Sequence, residues 1–487
     1  MPTTTIRRAK ILATLGPASA NPVTFARMID AGLSAVRLNF SHGTQTEHAA
    51  TIEMIRRVSI DKDVPIPIVQ DLQGPKIRIG VIPGGKINLH GETVVRFTVE
   101  KEREGKGDVI FVDYAGFAGD VQRGHRFLLN DGILELEVIA TDGKTVEAKV
   151  IRGGTLYDHN GINLPGTVLS LPPLSEKDVA DLRFGLAAGV DAVAMSFVRR
   201  PEDLELARIV MMDAKRVVPL FAKIETPAAV DTLDEIAAKT DGLLVARGDL
   251  GVELPPEKVP AIQKRILSIG SRRGLMTITA TQMLESMMEH ARPTRAESSD
   301  VANAVYDGSD CLMLSGETAR GEFPVESVEM MDRIIRESEA HSEFQRARLG
   351  LEQVESFDAI PEAVGGAASF AAARLKAAAI VCFTQTGSIA KLLAAYRPPV
   401  PIVAVTPTIE AARPLNLVWG VIPIVSPRAV EDHEEFVALV DQILVPRGLA
   451  KPDELVIILM GSPPRERPRT NLMRIHRVRD ASARSDH

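Results

Sequence analysis

The sequence has 487 residues, of which 45% are hydrophobic and 25% are charged, and its net charge is −7. Because domains commonly contain about 100–200 residues, this length predicts two to four domains, and the composition is typical of a globular protein with a sizeable core. The negative charge argues against a general nucleic-acid binder, since affinity for a phosphate backbone comes from clustered cations, but it leaves room for a local site that binds a small anion.

Neither the cysteines nor the apolar runs indicate an extracellular or membrane protein. Cys311 and Cys382 lie in the apolar segments CLML and IVCF, so we expect buried free thiols rather than a disulfide framework or a zinc site. No apolar run approaches the roughly 20 residues that span a bilayer. The apolar stretch near the N-terminus is short and is broken at Gly16-Pro17, unlike that of a signal peptide. We therefore expect a cytoplasmic protein that binds no membrane.

The first 72 residues read as three strands with two helices between them. The apolar run AKILATLGP is followed by a helix that starts at Asn21-Pro22 and is closed by Gly32. The runs LSAVRLNF and PIPIVQD follow, with a second helical pattern between them. Short apolar runs that alternate with helical patterns are typical of parallel βα units.

From about residue 74 to 168 the pattern changes to β-forming segments. VVRFTV, DVIFVD, ILELEVIA and TVEAKVI are separated by Gly-rich turns such as Asp142-Gly143, and this stretch contains no convincing helix. An all-β segment inside a βα series indicates an inserted domain.

The βα pattern then resumes, and Ser175 with Asp178 predicts a helix N-cap. Five further strands are predicted in VDAVAMSF, VPLFAKIE, DGLLVARGD, LMTITATQ and SDCLMLSGE, with helices at 202–214, 227–239, 256–270, 296–306 and 325–340. Three strands before the insertion and five after it make eight, the number that closes a parallel (β/α)₈ barrel.

A third region follows Ala340. The apolar runs AAAIVCF, VPIVAVT, VIPIVSP, DELVIIL and LMRIHRV alternate with helices such as GSIAKLLAAY, which predicts a separate α/β domain. We therefore predict an α/β protein with a (β/α)₈ TIM barrel at 1–72 and 170–342, an inserted all-β domain at 73–169 and a C-terminal α/β domain at 343–487.

Catalytic groups of such barrels lie at the C-terminal ends of the strands, where the loops leave the barrel mouth. All eight predicted strand ends carry polar or charged residues, which we expect to point into one mouth. They are Thr14; Arg37, Asn39, Ser41 and His42; Asp71, Lys76 and Arg78; Ser196; Lys223 and Glu225; Arg247, Gly248 and Asp249; Thr281; Ser315 and Glu317.

These residues predict a metal-dependent site for a phosphorylated anion. Glu225 and Asp249 follow neighbouring strands and could share a hard divalent cation such as Mg²⁺. Lys223 is two residues from Glu225 and faces the same side of its strand, where it would stabilise charge on a phosphoryl group or an enolate oxygen. Arg37 could bind a phosphate bidentately. The backbone N–H groups of Gly248 and Asp249 could bind a carboxylate.

Each of these residues also has an ordinary structural interpretation. Lys-Ile-Glu alone is more often an exposed ion pair, and Asp249 in a Gly-rich segment is more often a turn residue. Thr281 and Ser315 would usually cap or bridge the backbone, and His42 before Gly43 would usually be a surface histidine. The convergence of eight strand ends, rather than any single residue, favours the functional interpretation.

Longer segments resemble the pyruvate kinase family. ATLGPAS, RLNFSHG, DLQGPKIR, NLPG (163–166), LSEKD, MSFVR, AKIE, VARGDLGVE, TATQMLESM, PTRAE and LSGETARG occur in that order, and a weaker match continues through YRPPVPIVAVTP and WGVIPIV. The resemblance implies a barrel with an inserted β-barrel lid domain and a C-terminal effector-type domain. It also implies Mg²⁺-dependent (or Mn²⁺-dependent) phosphoryl transfer from phosphoenolpyruvate to ADP, giving pyruvate and ATP at the end of glycolysis, in a homotetramer.

The resemblance assigns roles to the predicted site residues. Lys223 would stabilise the transition state, Arg37 would bind the phosphate, and Glu225 and Asp249 would hold Mg²⁺. The backbone of Gly248 and Asp249, together with Thr281, would bind the substrate carboxylate. Thr281 also matches the position where the family is thought to protonate the enolpyruvate through water.

The resemblance also implies nucleotide contacts. Asn39, His42 and Arg78 match nucleotide-contacting positions of the family. Arg200 occupies a position where the family often has lysine, and we assign it to the nucleotide with them.

One departure from the family pattern concerns K⁺. Members that need K⁺ hold it through N-x-S and D-T-K-G-P-E motifs, and Asn39, Ser41 and Asp71 are present here. However, the second string reads DLQGPK, so that Leu72 replaces the threonine and Lys76 the glutamate, as in K⁺-independent members. We predict that the tethered ammonium of Lys76 substitutes for K⁺ and that the enzyme does not require K⁺.

The C-terminal domain resembles the effector module of the family. FTQTGS (383–388) resembles its phosphate loop, which makes Thr384, Thr386, Gly387 and Ser388 candidate effector contacts. GSPPRERPRTN (461–471) matches the effector-closing loop only in part, because Pro468-Arg469 replaces common Gly-Ser/Thr steps, and a solvated basic loop is the alternative. A sugar phosphate or a nucleotide monophosphate is a plausible class of activator.

Two other functions remain open from the residues. A metal-dependent barrel lyase acting on pyruvate enolates also needs a pair of strand-end carboxylates, but it has no need for the β insertion or for Arg78. A non-enzymatic binding protein on a degenerate barrel should have lost some of Lys223, Glu225, Asp249 and Thr281, whereas all four are present.

Overall fold

The computed structural model describes residues 6–106, 109–167, 169–341, 358–427, 432–461 and 469–479. The first part contains the three predicted strands and the two helices between them. Their elements are β1 (Lys10–Thr14), α1 (Pro22–Asp30), β2 (Ala35–Asn39), α2 (Gln45–Asp61) and β3 (Ile68–Asp71). The Asn21 side chain caps α1 by accepting a hydrogen bond from the Thr24 amide, and Pro22 occupies the first turn, where no amide hydrogen is needed. Phe25 and Met28 turn the apolar face of α1 into the core.

The inserted region is built almost entirely of strands. It contains β4 (Ile77–Arg78), β5 (Lys86–Leu89), β6 (Val94–Thr98), β7 (Ile110–Phe111), α3 (Phe117–Asp120), β8 (Arg126–Leu129), β9 (Leu134–Thr141), β10 (Thr145–Arg152), β11 (Gly154–Tyr157) and β12 (Gly161–Asn163). Within the described residues, seven strands form one sheet in the order β4-β12-β8-β9-β10-β6-β7, and β11 pairs with β5. The turn at Asp142-Gly143 joins β9 to β10, where it was predicted.

Phenylalanine rings form the centre of this inserted sheet. Phe97 and Phe127 pack edge to face with ring centroids 5.1 Å apart, and Phe117 contacts both rings. Phe117 begins the four-residue helix α3, and a 3₁₀ turn covers Lys101–Arg103, so the prediction of no helix in this region was wrong in detail. A single helical turn is too short to show an amphipathic period in the sequence.

The chain then returns to alternating helices and strands. These are α4 (Glu176–Ala188), β13 (Ala192–Met195), α5 (Asp203–Asp213), β14 (Leu220–Ile224), α6 (Pro227–Asp231), α7 (Leu233–Ala237), β15 (Gly242–Ala246), α8 (Arg247–Glu253), α9 (Val259–Arg272), β16 (Met276–Ala280), α10 (Arg295–Tyr306), β17 (Cys311–Leu314), α11 (Gly316–Ala319) and α12 (Pro324–Ala340). Ser175 and Asp178 form the predicted cap of α4, each side chain bonding the backbone of the other.

Two predicted helices differ from those observed. The helix predicted at 227–239 is divided into α6 and α7 at Thr232, whose hydroxyl proton is shared between the carbonyls of Arg199 (3.0 Å) and Ala228 (2.9 Å). The helix predicted at 256–270 starts as a 3₁₀ turn at Pro256–Lys258 and then continues as α9.

Parallel strands close the predicted barrel. Among the described residues, eight strands follow one another around it in the order β1-β17-β16-β15-β14-β13-β3-β2. Gly242 is required inside, because a β-carbon there would lie 2.4 Å from the Phe221 ring. The barrel places the C-terminal ends of all its strands at one rim, as predicted from the sequence. None of the helices in the described part of the chain is long and apolar enough to cross a lipid bilayer.

The C-terminal region forms a separate sheet. It contains α13 (Ala359–Leu375), β18 (Ala379–Phe383), α14 (Ser388–Ala395), β19 (Ile402–Thr406), α15 (Ile409–Leu415), β20 (Val421–Val425), α16 (His433–Leu444), β21 (Leu455–Met460) and β22 (Leu472–Arg477). Five strands of the described residues pair in the order β20-β19-β18-β21-β22, and β22 is antiparallel to its neighbour. Cys311 in the barrel and Cys382 in this sheet are buried free thiols, as predicted.

The N-terminal segment joins the bottom of the barrel to the C-terminal region. The Lys10 ammonium is buried and donates a hydrogen bond of 2.7 Å to the carbonyl of Val421. Burial lowers the pKa of Lys10 to about 7, an effect that the nearby guanidinium of Arg7 reinforces. Arg397 forms an ion pair of 2.7 Å with Asp310 and lies over the Trp419 ring. A buried ammonium therefore contributes to this interdomain contact.

Candidate active site

Lys223 lies at the centre of an ion-pair network at the barrel rim. Its ammonium is 3.3 Å from Asp71 Oδ1 and 2.9 Å from Glu225 Oε1, and it donates a 2.7 Å hydrogen bond to Ser196 Oγ. Burial alone would lower the pKa of Lys223, but the carboxylates of Asp71 and Glu225 outweigh it and raise this pKa above its ordinary value. Lys223 is therefore a permanent, buried positive charge. The exposed Lys-Ile-Glu ion pair considered as the alternative is wrong.

Arg37 adds a second cation to this network. Its Nε donates a 2.6 Å hydrogen bond to Asp71 Oδ2, and its Nη1 donates one of 3.1 Å to Thr14 Oγ1. Burial would raise the pKa of Asp71, but Lys223 and Arg37 outweigh this effect and lower it. Asp71 is thus ionised and holds two cations of the mouth in place.

Glu225 is a fully buried carboxylate that faces both the Lys223 ammonium and the charge of Asp249. Its Oε2 accepts a 2.7 Å hydrogen bond from the Phe197 amide, whereas its Oε1 faces Lys223 without a hydrogen bond of good geometry. Burial raises the pKa of Glu225, and the charge of Asp249 raises it further, although Lys223 opposes this shift. Two neighbouring carboxylates, one of them buried, offer hard oxygen ligands that fit a divalent cation.

The donor set limits which cation fits. Within the described residues, no group of three or more His, Cys, Asp or Glu side chains could hold a metal ion. Two carboxylates with the remaining positions left to water and substrate suit Mg²⁺, whereas a structural zinc site would need four closed ligands.

Gly248, Asp249 and Thr281 lie together at the neighbouring rim. Gly248 and Asp249 are in the first turn of α8, whose amides have no partner inside the helix. A β-carbon on Gly248 would lie 2.9 Å from Thr281 Cγ2, so this close approach requires glycine. Thr281 itself has a positive φ of 77°, a conformation that a threonine adopts only when its surroundings hold it.

Arg247 and Glu317 were predicted to point into the barrel mouth, and this prediction was wrong. Their side chains instead support the loops around the mouth. Arg247 donates hydrogen bonds to the carbonyls of Ala280 (3.1 Å) and Thr281 (2.6 Å), and its other end pairs with Asp300 at 2.8 Å. The buried Glu317 carboxylate accepts hydrogen bonds from the amides of Leu284 and Ser315. Both side chains fix the backbone around Thr281 rather than offering free charge.

The nucleotide candidates belong to three separate parts of the chain. Asn39 Oδ1 accepts a 3.1 Å hydrogen bond from the Ser41 amide, and His42 is exposed in the same loop. Arg78 lies on β4 of the insert and donates to the carbonyl of His159. Arg200 has an exposed guanidinium 3.4 Å from Asp203.

Lys76 lies on the insert side of the mouth. Its side chain packs against Gly161, where a β-carbon would lie 3.0 Å from Lys76 Cε and 3.8 Å from Nζ. Of the ion pairs between described residues, those of Asp71 involve Lys223 and Arg37 and not Lys76. The structure therefore does not place the Lys76 ammonium on this carboxylate.

A cleft of about 500 Å³ separates the insert from the barrel rim. Its lining includes Lys76, Arg200, Asn163 and Glu253. The sequence did not predict a role for the last two, although both lie in segments that resemble the family, NLPG and VARGDLGVE. Asn163 Nδ2 donates a 2.8 Å hydrogen bond to Glu253 Oε1. Burial raises the pKa of Glu253 to about 7, and the charges of Asp249 and Glu225 add to this effect against the hydrogen bond from Asn163.

The predicted effector loop follows β18 and ends at α14. The Gly387 amide donates a 2.8 Å hydrogen bond to the buried Thr384 hydroxyl, and Thr386 Oγ1 lies 3.3 Å from Ser388 Oγ. Gly387 has φ 82° and contacts Leu415. Most of the partner segment, residues 462–468 and therefore Pro468, lies outside the described residues, and Arg469 pairs with Asp358.

Comparison with known proteins places this architecture in a family. Residues 6–328 match the family described as "Pyruvate kinase, barrel domain" and residues 362–476 match "Pyruvate kinase, alpha/beta domain". The chain belongs to the pyruvate kinase family.

Individual relatives agree with this assignment. A pyruvate kinase of Agrobacterium vitis is 43% identical over 471 residues, which cover 96% of this chain and 98% of the relative. One from Sporosarcina psychrophila is 42% identical over 482 residues, covering 98% of this chain and 82% of the relative. The crystal structure of a pyruvate kinase from Cryptosporidium parvum aligns with a TM-score of 0.90 at 34% identity, over 97% of this chain and 96% of that one.

These matches confirm the family prediction and the fold class. They also show an enzyme with pyruvate kinase activity, because similarity to pyruvate kinases extends over nearly the whole chain. The non-enzymatic binding protein and the barrel lyase considered from the sequence are therefore set aside.

Proposed function

We propose that this enzyme transfers the phosphoryl group of phosphoenolpyruvate to ADP with the help of Mg²⁺ (or Mn²⁺), giving pyruvate and ATP as the final step of glycolysis. The observation that carries the proposal is the Lys223 ammonium, buried between the carboxylates of Asp71 and Glu225, with the charge of Asp249 acting on Glu225. Glu225 and Asp249 would hold the cation, which when bound neutralises charge on the phosphoryl and enolate oxygens.

The side chains of the mouth divide the recognition of phosphoenolpyruvate between its two charged groups. Arg37 Nη2 has no hydrogen-bond partner within the described structure, so it is available to the phosphate while Nε and Nη1 remain anchored. The first-turn amides at Gly248 and Asp249 would bind the carboxylate, together with the Thr281 hydroxyl. Arg247 donates a hydrogen bond to the Thr281 carbonyl and so holds the backbone that carries this hydroxyl.

Lys223 would stabilise the charge that develops during transfer. Its ammonium is already neutralised in the ground state by carboxylates at fixed positions, so little reorganisation is needed when negative charge appears nearby. Thr281 would direct protonation of the enolpyruvate through water. Lys223 thus acts on the transition state and Thr281 on the product.

ADP would bind in the cleft between the insert and the barrel. Arg200 and Lys76 line this cleft and supply positive charge. Arg78 on the insert, and Asn39 and His42 in the loop after β2, would contact the nucleotide from either side. We assign catalysis to the barrel, residues 1–72 and 170–342. The insert, residues 73–169, would cover the cleft, and the C-terminal domain, residues 343–487, would regulate the enzyme.

The proposal that the enzyme does not require K⁺ depends on Lys76. A tethered ammonium supplies a positive charge at the cleft, where a glutamate at the same position would have to recruit a free cation together with Asn39, Ser41 and Asp71. The test is an assay in potassium-free tetramethylammonium or Tris buffer, in which we expect nearly full activity. A large stimulation by KCl would refute this role. Lys76→Glu should acquire dependence on K⁺.

Regulation and assembly are further parts of the proposal. The loop with Thr384, Thr386, Gly387 and Ser388 would bind a phosphorylated effector, since its amides lie at the start of α14. Subunits would associate as a homotetramer, as the resemblance to the family implies. Sedimentation tests the assembly, and we expect the enzyme in the cytoplasm.

A coupled assay tests the proposed reaction directly. ATP formation from ADP and phosphoenolpyruvate should require Mg²⁺ or Mn²⁺ and should stop when the cation is chelated. A lyase would consume an enolate substrate without forming ATP, so the same assay separates these functions. Adding a panel of sugar phosphates and nucleotide monophosphates would reveal an activator as a fall in KM for phosphoenolpyruvate, and no response to any of them would contradict the regulatory proposal.

A further inference from the structure

Asn163 and Glu253 connect the insert directly to the helix that carries the proposed cation and carboxylate site. Asn163 is the last residue of β12 in the insert, and Glu253 is the last residue of α8 on the barrel. The Asn163 side chain donates a 2.8 Å hydrogen bond to Glu253 Oε1 across 90 residues of sequence. Asn163 is only 6% exposed. The bond is strongest when Glu253 is ionised, because hydrogen bonds to a charged acceptor in such surroundings are strong.

A second contact joins the insert to the same helix. Gly132, with φ 84°, lies in the loop between β8 and β9, and a β-carbon there would be 3.5 Å from Val252. By contrast, the connection from the insert back to the barrel is tied down by Arg199, whose guanidinium donates to the carbonyls of Leu169 and Leu171. The insert is thus anchored at its connection and touches α8 at a second place.

Glu253 does not complete a metal site with Glu225 and Asp249, because no metal-holding group of three acidic, His or Cys side chains occurs in the described part of the chain. Its bonded partner is instead an amide on the insert, and both residues line the cleft assigned to ADP. Asp249 and Glu253 are four residues apart and lie on one face of α8. A shift of the insert would therefore act on the helix whose first turn holds Asp249.

We propose that the Asn163–Glu253 hydrogen bond is a clasp that sets the position of the insert over the ADP cleft, so that Glu253 is a positioning residue for phosphoryl transfer to the nucleoside diphosphate. The proposal rests on the proposed function. The hydrogen bond itself can be tested without measuring activity, because hydrogen exchange reports how well the amides of β12 are protected from solvent.

Two variants test the proposal. One is the single variant Asn163→Asp, and the other is the double variant Asn163→Asp with Glu253→Gln, which we call the swap. In the single variant two carboxyl groups face each other, so at a pH well above 7, where Glu253 is ionised, they repel each other and the clasp opens. In the swap the Gln amide donates to the Asp carboxylate, and the net charge equals that of the wild type. We expect the single variant to raise KM for ADP by about tenfold with a smaller effect on KM for phosphoenolpyruvate, and the swap to recover most of this loss.

Two control variants separate the loss of the clasp from a simple change of charge. Asn160→Asp adds the same charge to the insert but keeps its acceptor role toward the Tyr157 amide, so KM for ADP should stay close to the wild-type value. Glu253→Gln alone retains an acceptor oxygen and should raise KM less than Asn163→Asp does. If Asn160→Asp raised KM for ADP as much as Asn163→Asp does, charge rather than the clasp would matter, and the proposal would be overturned.

Hydrogen exchange of the ligand-free enzyme provides the readout that does not depend on catalysis. Amides of 161–163 and 130–132 should exchange faster in Asn163→Asp and return to wild-type rates in the swap. Unchanged exchange in the single variant, or a swap that restores exchange without restoring KM for ADP, would overturn the positioning role. If the wild type made no ATP at all, the proposed function would fail, while the exchange result would still decide whether the clasp exists.

Discussion

Replacing Lys223 by methionine tests the charge on which the proposed chemistry depends. Methionine has a similar length but no charge, so the packing at this nearly buried position (12% exposed) is largely kept. In the variant, Asp71 keeps its ion pair with Arg37 (2.6 Å), and Glu225 keeps its hydrogen bond from the Phe197 amide (2.7 Å). We therefore expect the variant to fold, because neither carboxylate loses its last partner.

The expected loss of turnover follows from the distances around the ammonium. A unit charge about 3 Å from it interacts by about 5 kcal/mol at an effective dielectric constant of about 20. If about half a charge develops at such a distance during transfer, the transition state loses about 3 kcal/mol, which lowers kcat by about 100-fold or more. The affinity for Mn²⁺ should be kept, because removing the ammonium makes the surroundings of Glu225 and Asp249 more negative.

The coupled assay for ATP formation measures kcat, and electron paramagnetic resonance measures Mn²⁺ binding. Lys239→Met, which changes an exposed lysine, is the matched control and should behave as the wild type. A kcat within about threefold of the wild-type value in Lys223→Met, with folding and Mn²⁺ binding intact, would refute the electrostatic role of Lys223.

Further predictions concern the support of the site, the interdomain contact and the thiols. Arg247→Met removes the donor to the Thr281 carbonyl, so KM for phosphoenolpyruvate should rise and kcat should fall by about tenfold or more in the coupled assay, and unchanged kinetics would contradict the support role. The folded-state pKa of Lys10 is about 7, below its ordinary value of 10.5, so the unfolded chain binds more protons between these pH values. The wild type should therefore gain about 2 kcal/mol of stability relative to Lys10→Met from pH 6 to 9, measured by denaturant unfolding, and a constant difference would contradict the buried ammonium. Burial raises the pKa of the Cys311 thiol and raises that of the Cys382 thiol to about 12. Both thiols should therefore be unreactive toward a thiol reagent in the native enzyme and should react on unfolding. A thiol that reacts quickly in the native enzyme would contradict their burial.

The barrel could be predicted because its signals are local. Each strand is a short apolar run between helical patterns, and caps such as Ser175 with Asp178 are formed by residues close in sequence. The break between α6 and α7 could not be predicted in this way. It coincides with a hydrogen bond from the Thr232 hydroxyl to the carbonyl of Arg199, 33 residues away, and no local pattern contains that contact.

The same distinction applies to the site. Strand-end position identified Lys223 and Glu225 because side chains two apart on a strand face the same way. Polarity at a strand end does not reveal direction, however, and Arg247 turns away to Asp300, 53 residues further on. Asn163 and Glu253 were not predicted from the sequence, because their proposed role depends on a contact between two domains.

The most direct test of the proposed cation site is an anomalous-difference map from crystals of the enzyme with Mn²⁺. We predict one strong peak at the barrel mouth, about 2.1 Å from a carboxylate oxygen of both Glu225 and Asp249, with the Lys223 ammonium alongside. A peak bound elsewhere, or one that contacts neither carboxylate, would contradict the assignment of the catalytic centre.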